Sequence, residues 1–321
     1  MSATKIEWCD YTINPVVGCS KCSPGCDNCY AERFAARMAA HPNPKIAAKY
    51  SNAVDAQGRW TGTIRCMESD LLGNWWNSCV RFMKSGSRIF VGSMTDLFHE
   101  NVRNKDLLHL WELMEGWPEC NFCVLTKRPE RMRYFVLVYT PAEYHLSNVW
   151  LGVTVCNQDE ADAKIPHLLQ TPAAKRFVSI EPMLGPVDLG NFLKTPWMPD
   201  RVVKPYSVPV EYIDARGVDW VILGCETGSK ARPVHPDWVC SVRDQCQGAG
   251  IPFFFKGWGE FHPLMWEEDG MVAIAPEDYP TVDVGGKMMA RVGKKRAGRQ
   301  LDGREWNEVP QDELKMRHLE S

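Results

Sequence analysis

The chain has 321 residues, 45% hydrophobic and 24% charged, enough to bury a substantial core as one large domain or two average ones. A formal net charge of −3 excludes a polycation that holds nucleic acid by bulk charge, so any such binding needs a local basic patch. No apolar run is long enough to cross a bilayer. Thirteen cysteines, mostly on apolar stretches and with no secretory segment before them, predict reduced thiols and a cytoplasmic protein.

The first expected element is an extended run over 11–17, which delivers the chain to Gly18–Arg37, GCSKCSPGCDNCYAERFAAR. Cys19, Cys22, Cys26 and Cys29 are separated by Lys21, Ser23, Pro24, Gly25, Asp27 and Asn28, residues that suit a tight loop. Helix formers begin at Tyr30. Thiolates gathered just before a helix point to a metal or iron–sulfur site. Cys22-x3-Cys26-x2-Cys29 is the three-cysteine spacing of radical S-adenosylmethionine (SAM) enzymes, and Cys19-x6-Cys26-x2-Cys29 is the competing triple. All four cysteines together would suit a fully ligated cluster or a structural zinc. Spacing alone leaves these open.

After the first helix, 41–86 is rich in Gly, Asn and Trp and predicts an irregular insertion over one face. From residue 88 short apolar runs alternate with helical stretches. The runs lie at 88–92, 122–125, 149–154, 176–180, 220–223 and 251–255, and the helices near 104–116, 158–169 and 235–248. Counting the run before the cysteine loop, about seven βα units predict a parallel sheet clad by helices. A full or partial TIM-type (β/α) barrel suits that number best.

Each run stops at a polar or charged group: Asp96, Lys127 and Arg128, Thr154 and Asn157, Glu181, Glu226, Lys256. In a parallel barrel these ends share one face, so the groups should converge around one mouth beside the cysteine loop. The tail differs in composition. Lys287, Arg291, Lys294, Lys295, Arg296, Arg299 and Arg304 follow one another with no acid before Asp302. Such a run is commonly a solvated face. Joined to Lys127, Arg128, Arg131 and Arg133 on one βα loop, it would form a basic rim for phosphates. There is no internal repeat, GxGxxG, phosphate-binding P-loop or H-E-x-x-H, and no motif links a cysteine to His99 or His235 for hydrolysis.

Many stretches resemble one family. They include Lys5-Ile-Glu-Trp8, Asn14-Pro15 with Gly18-Cys19, Ser23-Pro-Gly-Cys-Asp-Asn-Cys-Tyr-Ala-Glu32, Asp96-Leu-Phe-His99 and Leu125-Thr-Lys-Arg-Pro-Glu-Arg-Met132. Leu151-Gly-Val-Thr154, Glu181-Pro182, Leu184-Gly-Pro-Val-Asp-Leu189, His235-Pro-Asp-Trp238, Phe253-Phe-Phe-Lys256 and Leu301-Asp-Gly-Arg304 belong with them. Over nearly its whole length the chain resembles the phage-type, radical-SAM-like family, itself distantly similar to spore photoproduct lyase. The resemblance implies a radical SAM barrel over 1–260, including the insertion, with a basic extension over 261–321 packed on it. It further implies a [4Fe–4S] cluster on Cys19, Cys26 and Cys29, with SAM across the strand ends and a reductant protein as partner. Cys22 departs from the family pattern and restores the ordinary radical SAM spacing. Asn28 stands where an aromatic is usual.

By strand order, the resemblance places Ser93, Thr95 and Asp96 at the SAM amino group and Thr154 and Asn157 at its ribose. Glu181 serves the ribose or the substrate, and Lys127, Arg128, Glu226 and Lys256 face the substrate. The expected activity is hydrogen abstraction from a nucleic-acid base or modified pyrimidine, as in phage DNA modification. The alternatives are the same chemistry on a free nucleotide or small molecule, or a non-catalytic metal-bearing protein that binds nucleic acid.

Overall fold

The structure, a computed structural model, describes residues 4–66, 73–140, 146–194, 216–264 and 278–311. In chain order the elements open with β1 (Tyr11–Ile13), β2 (Val16–Val17), α1 (Tyr30–Ala39), α2 (Pro44–Tyr50), β3 (Arg65–Cys66) and α3 (Gly73–Val80). They continue with β4 (Arg88–Val91), α4 (Asn104–Glu115), β5 (Asn121–Thr126), α5 (Pro129–Tyr139), β6 (Val149–Val155) and α6 (Gln158–Leu169). Next come β7 (Lys175–Ile180), β8 (Trp220–Gly224), α7 (Pro236–Ala249) and β9 (Phe253–Gly257). The last elements are β10 (Phe261–Pro263), β11 (Thr281–Val284), β12 (Lys287–Arg291), α8 (Lys294–Ala297), β13 (Gln300–Leu301) and β14 (Arg304–Glu305).

Seven strands form one parallel sheet in the order β1-β4-β5-β6-β7-β8-β9. Their continuous apolar sequences follow from burial on both faces; all seven residues of β6 are buried. The sheet is curled. Trp8, just before β1, lies 4.9 Å from the Phe90 ring on β4 and 6.0 Å from Trp220 on β8. In a flat sheet those strands would stand roughly 19 Å apart, four spacings of about 4.8 Å. The inner face therefore closes around Trp8, with Cys123, Trp150, Phe177 and Phe254 completing an aromatic plug. Gly152 makes the plug possible, because a Cβ there would come 2.4 Å from the Phe177 ring.

β9 and β1 are not paired, so the result is a half-barrel. The free edge of β9 is covered by the chain's own 306–308 segment. Phe255 N donates to Trp306 O at 2.9 Å, and Glu308 N donates to Phe253 O at 3.2 Å. The part of 261–321 that is described packs against the barrel, with Met289, Ala297, Leu301 and Trp306 in the main core. It forms a three-stranded sheet, β10-β12-β11, and the β13–β14 hairpin; residues 265–277 and 312–321 lie outside the described residues.

Three local expectations change. The first extended run breaks at Asn14-Pro15: β1 joins the main sheet, whereas β2 turns away to pair with β3. Proline removes a donor and ends the ladder. The 41–86 stretch is less irregular than its composition predicts. It contains α2, β3 and α3, and Trp76 of α3 is fully buried with its ring 5.6 Å from Phe122 of β5. Residues 67–72 lie outside the described residues. Finally, Pro129 opens a helix at its first position, so Arg131 and Arg133 sit on α5 and not on a βα loop.

Candidate metal centre and cavity at the strand ends

The C-terminal ends of the strands surround one cavity of about 980 Å³. The cysteine loop opens onto it. Gly18 lets the chain enter with φ +106°, where a Cβ would lie 2.1 Å from Thr63 O. Ser23 then caps a short 3-10 turn over 24–26, its Oγ accepting from Gly25 N at 3.1 Å. Cys29 stands at the N-cap of α1. Cys19, Cys22, Cys26 and Cys29 all line the cavity.

These thiols differ in readiness. Burial pushes Cys19 up to about 11. Cys22 and Cys26 share a hydrogen bond, which raises Cys22 and holds Cys26 at about 5, with Lys127 also favouring the Cys26 thiolate. A thiolate at neutral pH is the form that binds metal. Among the described residues no three His, Cys, Asp or Glu side chains converge on one point. Four thiols on one cavity wall are the donor type that an iron–sulfur cluster uses. Lys127 is also on the cavity wall; burial lowers its pKa, but the charges of Cys26, Cys29, Asp96 and Cys22 together raise it above its ordinary value.

The expected SAM contacts on the β4 end are at the cavity but already engaged. Ser93 Oγ donates to Asn14 Oδ1 at 3.1 Å, and Thr95 Oγ1 donates to Gly18 O at 2.6 Å. Asp96 is buried and takes four hydrogen bonds, from Phe98 N, Thr126 Oγ1, Lys127 N and Arg128 Nη1, at 2.6–3.1 Å. These groups stitch β4 to the loops beside it. Asn157 is not among the residues that line the cavity. Its side chain caps α6, accepting from Glu160 N at 3.0 Å, the use that its residue type favours at that position.

Two expected substrate contacts prove to hold the cysteine loop. Arg128 Nη2 donates to Ser20 O at 3.1 Å and Ser20 Oγ at 2.8 Å, while Nη1 reaches Asp96 and Nε reaches Glu100. Glu226, buried at the end of β8, accepts from Asn28 Nδ2 at 3.0 Å and from Arg232 N, Nε and Nη2 at 2.5–3.0 Å. Arg232 Nη2 in turn donates to Pro24 O at 2.9 Å. The loop thus arcs over the strand ends between two arginine–carboxylate pairs.

The inner wall keeps Thr154, Glu181 and Lys256 together. Glu181 and Lys256 form an ion pair across β8. Gly224 leaves room for it, since a Cβ there would sit 3.3 Å from the Glu181 carboxyl. Thr154 pairs in register with Ser179, whose fully buried Oγ lines the cavity without a partner. Ser179 was not among the expected residues. The alternation Phe177, Ser179, Glu181 along one strand face carries the signal for it. Tyr30, from the quoted Ser23–Glu32 stretch, Arg299, from the basic run, and Cys225, which no motif marks, also line the cavity.

The basic rim does not assemble as expected. Arg133 is buried, and Arg131 donates to Val102 O. In the tail, Lys287 pairs with Asp237, Arg291 donates to Gly228 and Ser229 carbonyls, and Arg296 meets Tyr279. Arg304 packs on the Trp306 ring. Only Lys294, Lys295 and Arg299 of that run reach the cavity wall.

A half-barrel of parallel strands, plugged below by aromatics and carrying a four-cysteine loop over a single cavity, defines the class of protein. The chain belongs to the family described as "Protein of unknown function (DUF5131)", which it matches over residues 3–310. No curated protein matches it in sequence. In three dimensions it is similar to a cysteine-to-serine mutant of spore photoproduct lyase, with a TM-score of 0.42 and 10% identity, over 92% of this chain and 72% of that one. Among the described residues no helix is long and apolar enough to cross a membrane.

Proposed function

We propose that the protein is a radical SAM enzyme that abstracts hydrogen from a nucleic-acid base or modified pyrimidine. One observation carries the reading: all the loop thiols open on the same cavity as the Thr154–Ser179 hydroxyls and the Glu181–Lys256 pair. At about 980 Å³ that cavity is in the upper range for small-ligand sites, with room for SAM beside a base. Cys19, Cys26 and Cys29 would hold the cluster. When bound, a [4Fe–4S] cluster and SAM supply a hydrogen-abstracting oxidant that no side chain provides. The protein's own part is placement. Thr154 and Ser179 offer hydroxyls to a ribose or base edge, Glu181 and Lys256 offer an acceptor beside a donor, and the aromatic plug excludes water from below. Lys127 offsets the negative charge of the thiolates.

The engaged state of the tail cations favours a free nucleotide as the second reading. Every carboxylate on the cavity wall is already paired: Glu7 with Lys294, Asp96 with Arg128, Glu181 with Lys256, Glu226 with Arg232, Glu305 with Arg299. Lys5, Lys127 and Lys295 line the wall with no ion pair among the described residues, which suits a small number of phosphates. The test is anaerobic reconstitution with iron and sulfide, then dithionite and SAM, with 5′-deoxyadenosine read by chromatography with and without DNA or nucleotides. Product from wild type and Cys22→Ala but not Cys19→Ala is expected. A protein that takes up only zinc and forms no product with any of these additions would overturn the proposal.

A further inference from the structure

The cysteine loop has little regular structure to hold it. Its backbone bonds run from Gly18 N to Met94 O, from Gly62 N to Cys19 O, and within the short turn from Cys26 N to Ser23 O and, at 3.4 Å, from Asp27 N to Pro24 O. Two carbonyls, Ser20 O and Pro24 O, also accept from guanidinium groups that come from distant parts of the chain. Arg128 lies 108 residues from Ser20, and Arg232 lies 208 residues from Pro24. Each guanidinium is anchored on a buried carboxylate at a strand end, Asp96 after β4 and Glu226 after β8. Those strands are far apart in the sheet order, so the loop is gripped from opposite sides of the mouth.

We propose that Arg128 and Arg232 are positioning residues that hold the cysteine loop in its metal-receiving shape before any metal arrives. The inference rests on the cluster reading for its purpose, but not for its test. A planar guanidinium presents several donors in a fixed fork and stays charged, so it can bind a carboxylate and a carbonyl at once; a lysine is a single point charge. Gly25 brings the turn close to Pro182, with 3.2 Å to Cδ from the position a Cβ would take. Ser23 Oγ reaches Cys156 Sγ at 4.0 Å, so the loop also rests on the ends of β6 and β7. With its ends clamped and its middle supported, the loop keeps Cys26 and Cys29 half-buried on the cavity wall.

The experiment uses the full-length, metal-free protein and follows iodoacetamide alkylation of each cysteine by mass spectrometry, then iron uptake by visible absorption. Removing Arg232 alone would leave Glu226 buried and unpaired, so the main variant is the double Arg232→Met, Glu226→Gln. It should raise alkylation of Cys26 and Cys29 about tenfold, while Cys123 and Cys246 in the core stay protected, and it should lower iron uptake. Arg232→Lys keeps the charge and should give a smaller rise, about threefold, which decides the matter if the double variant labels its core cysteines as well. Unchanged alkylation at Cys26 and Cys29 in a folded variant would overturn the clamp. A wild-type protein that takes up no iron would instead defeat the cluster reading, and the alkylation rates would still decide the clamp.

Discussion

At the scale of residues, glycine and tryptophan explain most of how the site is framed. Gly18 precedes the first cysteine because the backbone there is left-handed and pressed against Thr63 O. Gly18→Ala is expected to destabilise by about 2 kcal/mol, from strain and overpacking together, and a urea midpoint equal to wild type would contradict this. Trp8 closes the plug with 1% of its surface exposed. Trp8→Ala should cost about 3–5 kcal/mol in equilibrium unfolding. Acid titration should also read out two buried groups. Burial, helped by the Arg128 charge, holds His99 below its ordinary 6.5, so the folded state resists its protonation and stability falls as pH drops below about 6.5. Burial alone would raise Glu226, but hydrogen bonds from Arg232 and Asn28 outweigh it and hold it below 4.5. Its contribution is therefore complete above about 4.5 and lost as pH falls further. Urea midpoints that stay flat from about pH 8 to pH 4 would rule out the His99 part.

At the scale of elements, the strands and most helices follow from pattern. The 158–169 helix is where its periodicity puts it; from β4 to β8 the strand ends lie within a residue of the apolar runs, whereas β9 is shifted by two, to Phe253–Gly257, and β1 stops at Ile13. The misses have local causes. α5 carries Arg131 and Arg133 and reads as a charged loop, but Arg133 is buried and Arg131 donates to Val102 O. Asn157, expected at a ribose, caps α6 through Glu160 N. The 306–308 segment, within the expected extension, covers the β9 edge that would otherwise template aggregation. Trp306→Ala should lower stability by about 3 kcal/mol and promote aggregation, measured by light scattering during thermal unfolding. A variant that unfolds reversibly at the wild-type temperature would contradict the covering role.

For the whole molecule, the charge distribution sets the salt dependence that separates the two proposed substrates. With most tail cations engaged in internal contacts, affinity for a nucleotide should depend on Lys5, Lys127 and Lys295 and show a shallow salt dependence. Neutralising Lys287 or Arg304 should change it little. A long single strand whose affinity falls steeply with salt, and falls again in Lys287→Ala, would instead place an extended phosphate track on the tail.

The sequence by itself determined the alternation of strands and helices and the cysteine loop before a helix. It also marked the polar groups at the strand ends, because each rests on local pattern: apolar runs, turn formers and spacing. It did not determine what those groups do. Arg128 and Glu226 look alike as candidates for ligand contact until the curled sheet brings Ser20 and Asn28 to them across more than a hundred residues. Whether a charged side chain serves a ligand or the fold depends on which partner reaches it first. Only the tertiary structure decides that, because hydrogen-bond partners distant in sequence leave no local pattern.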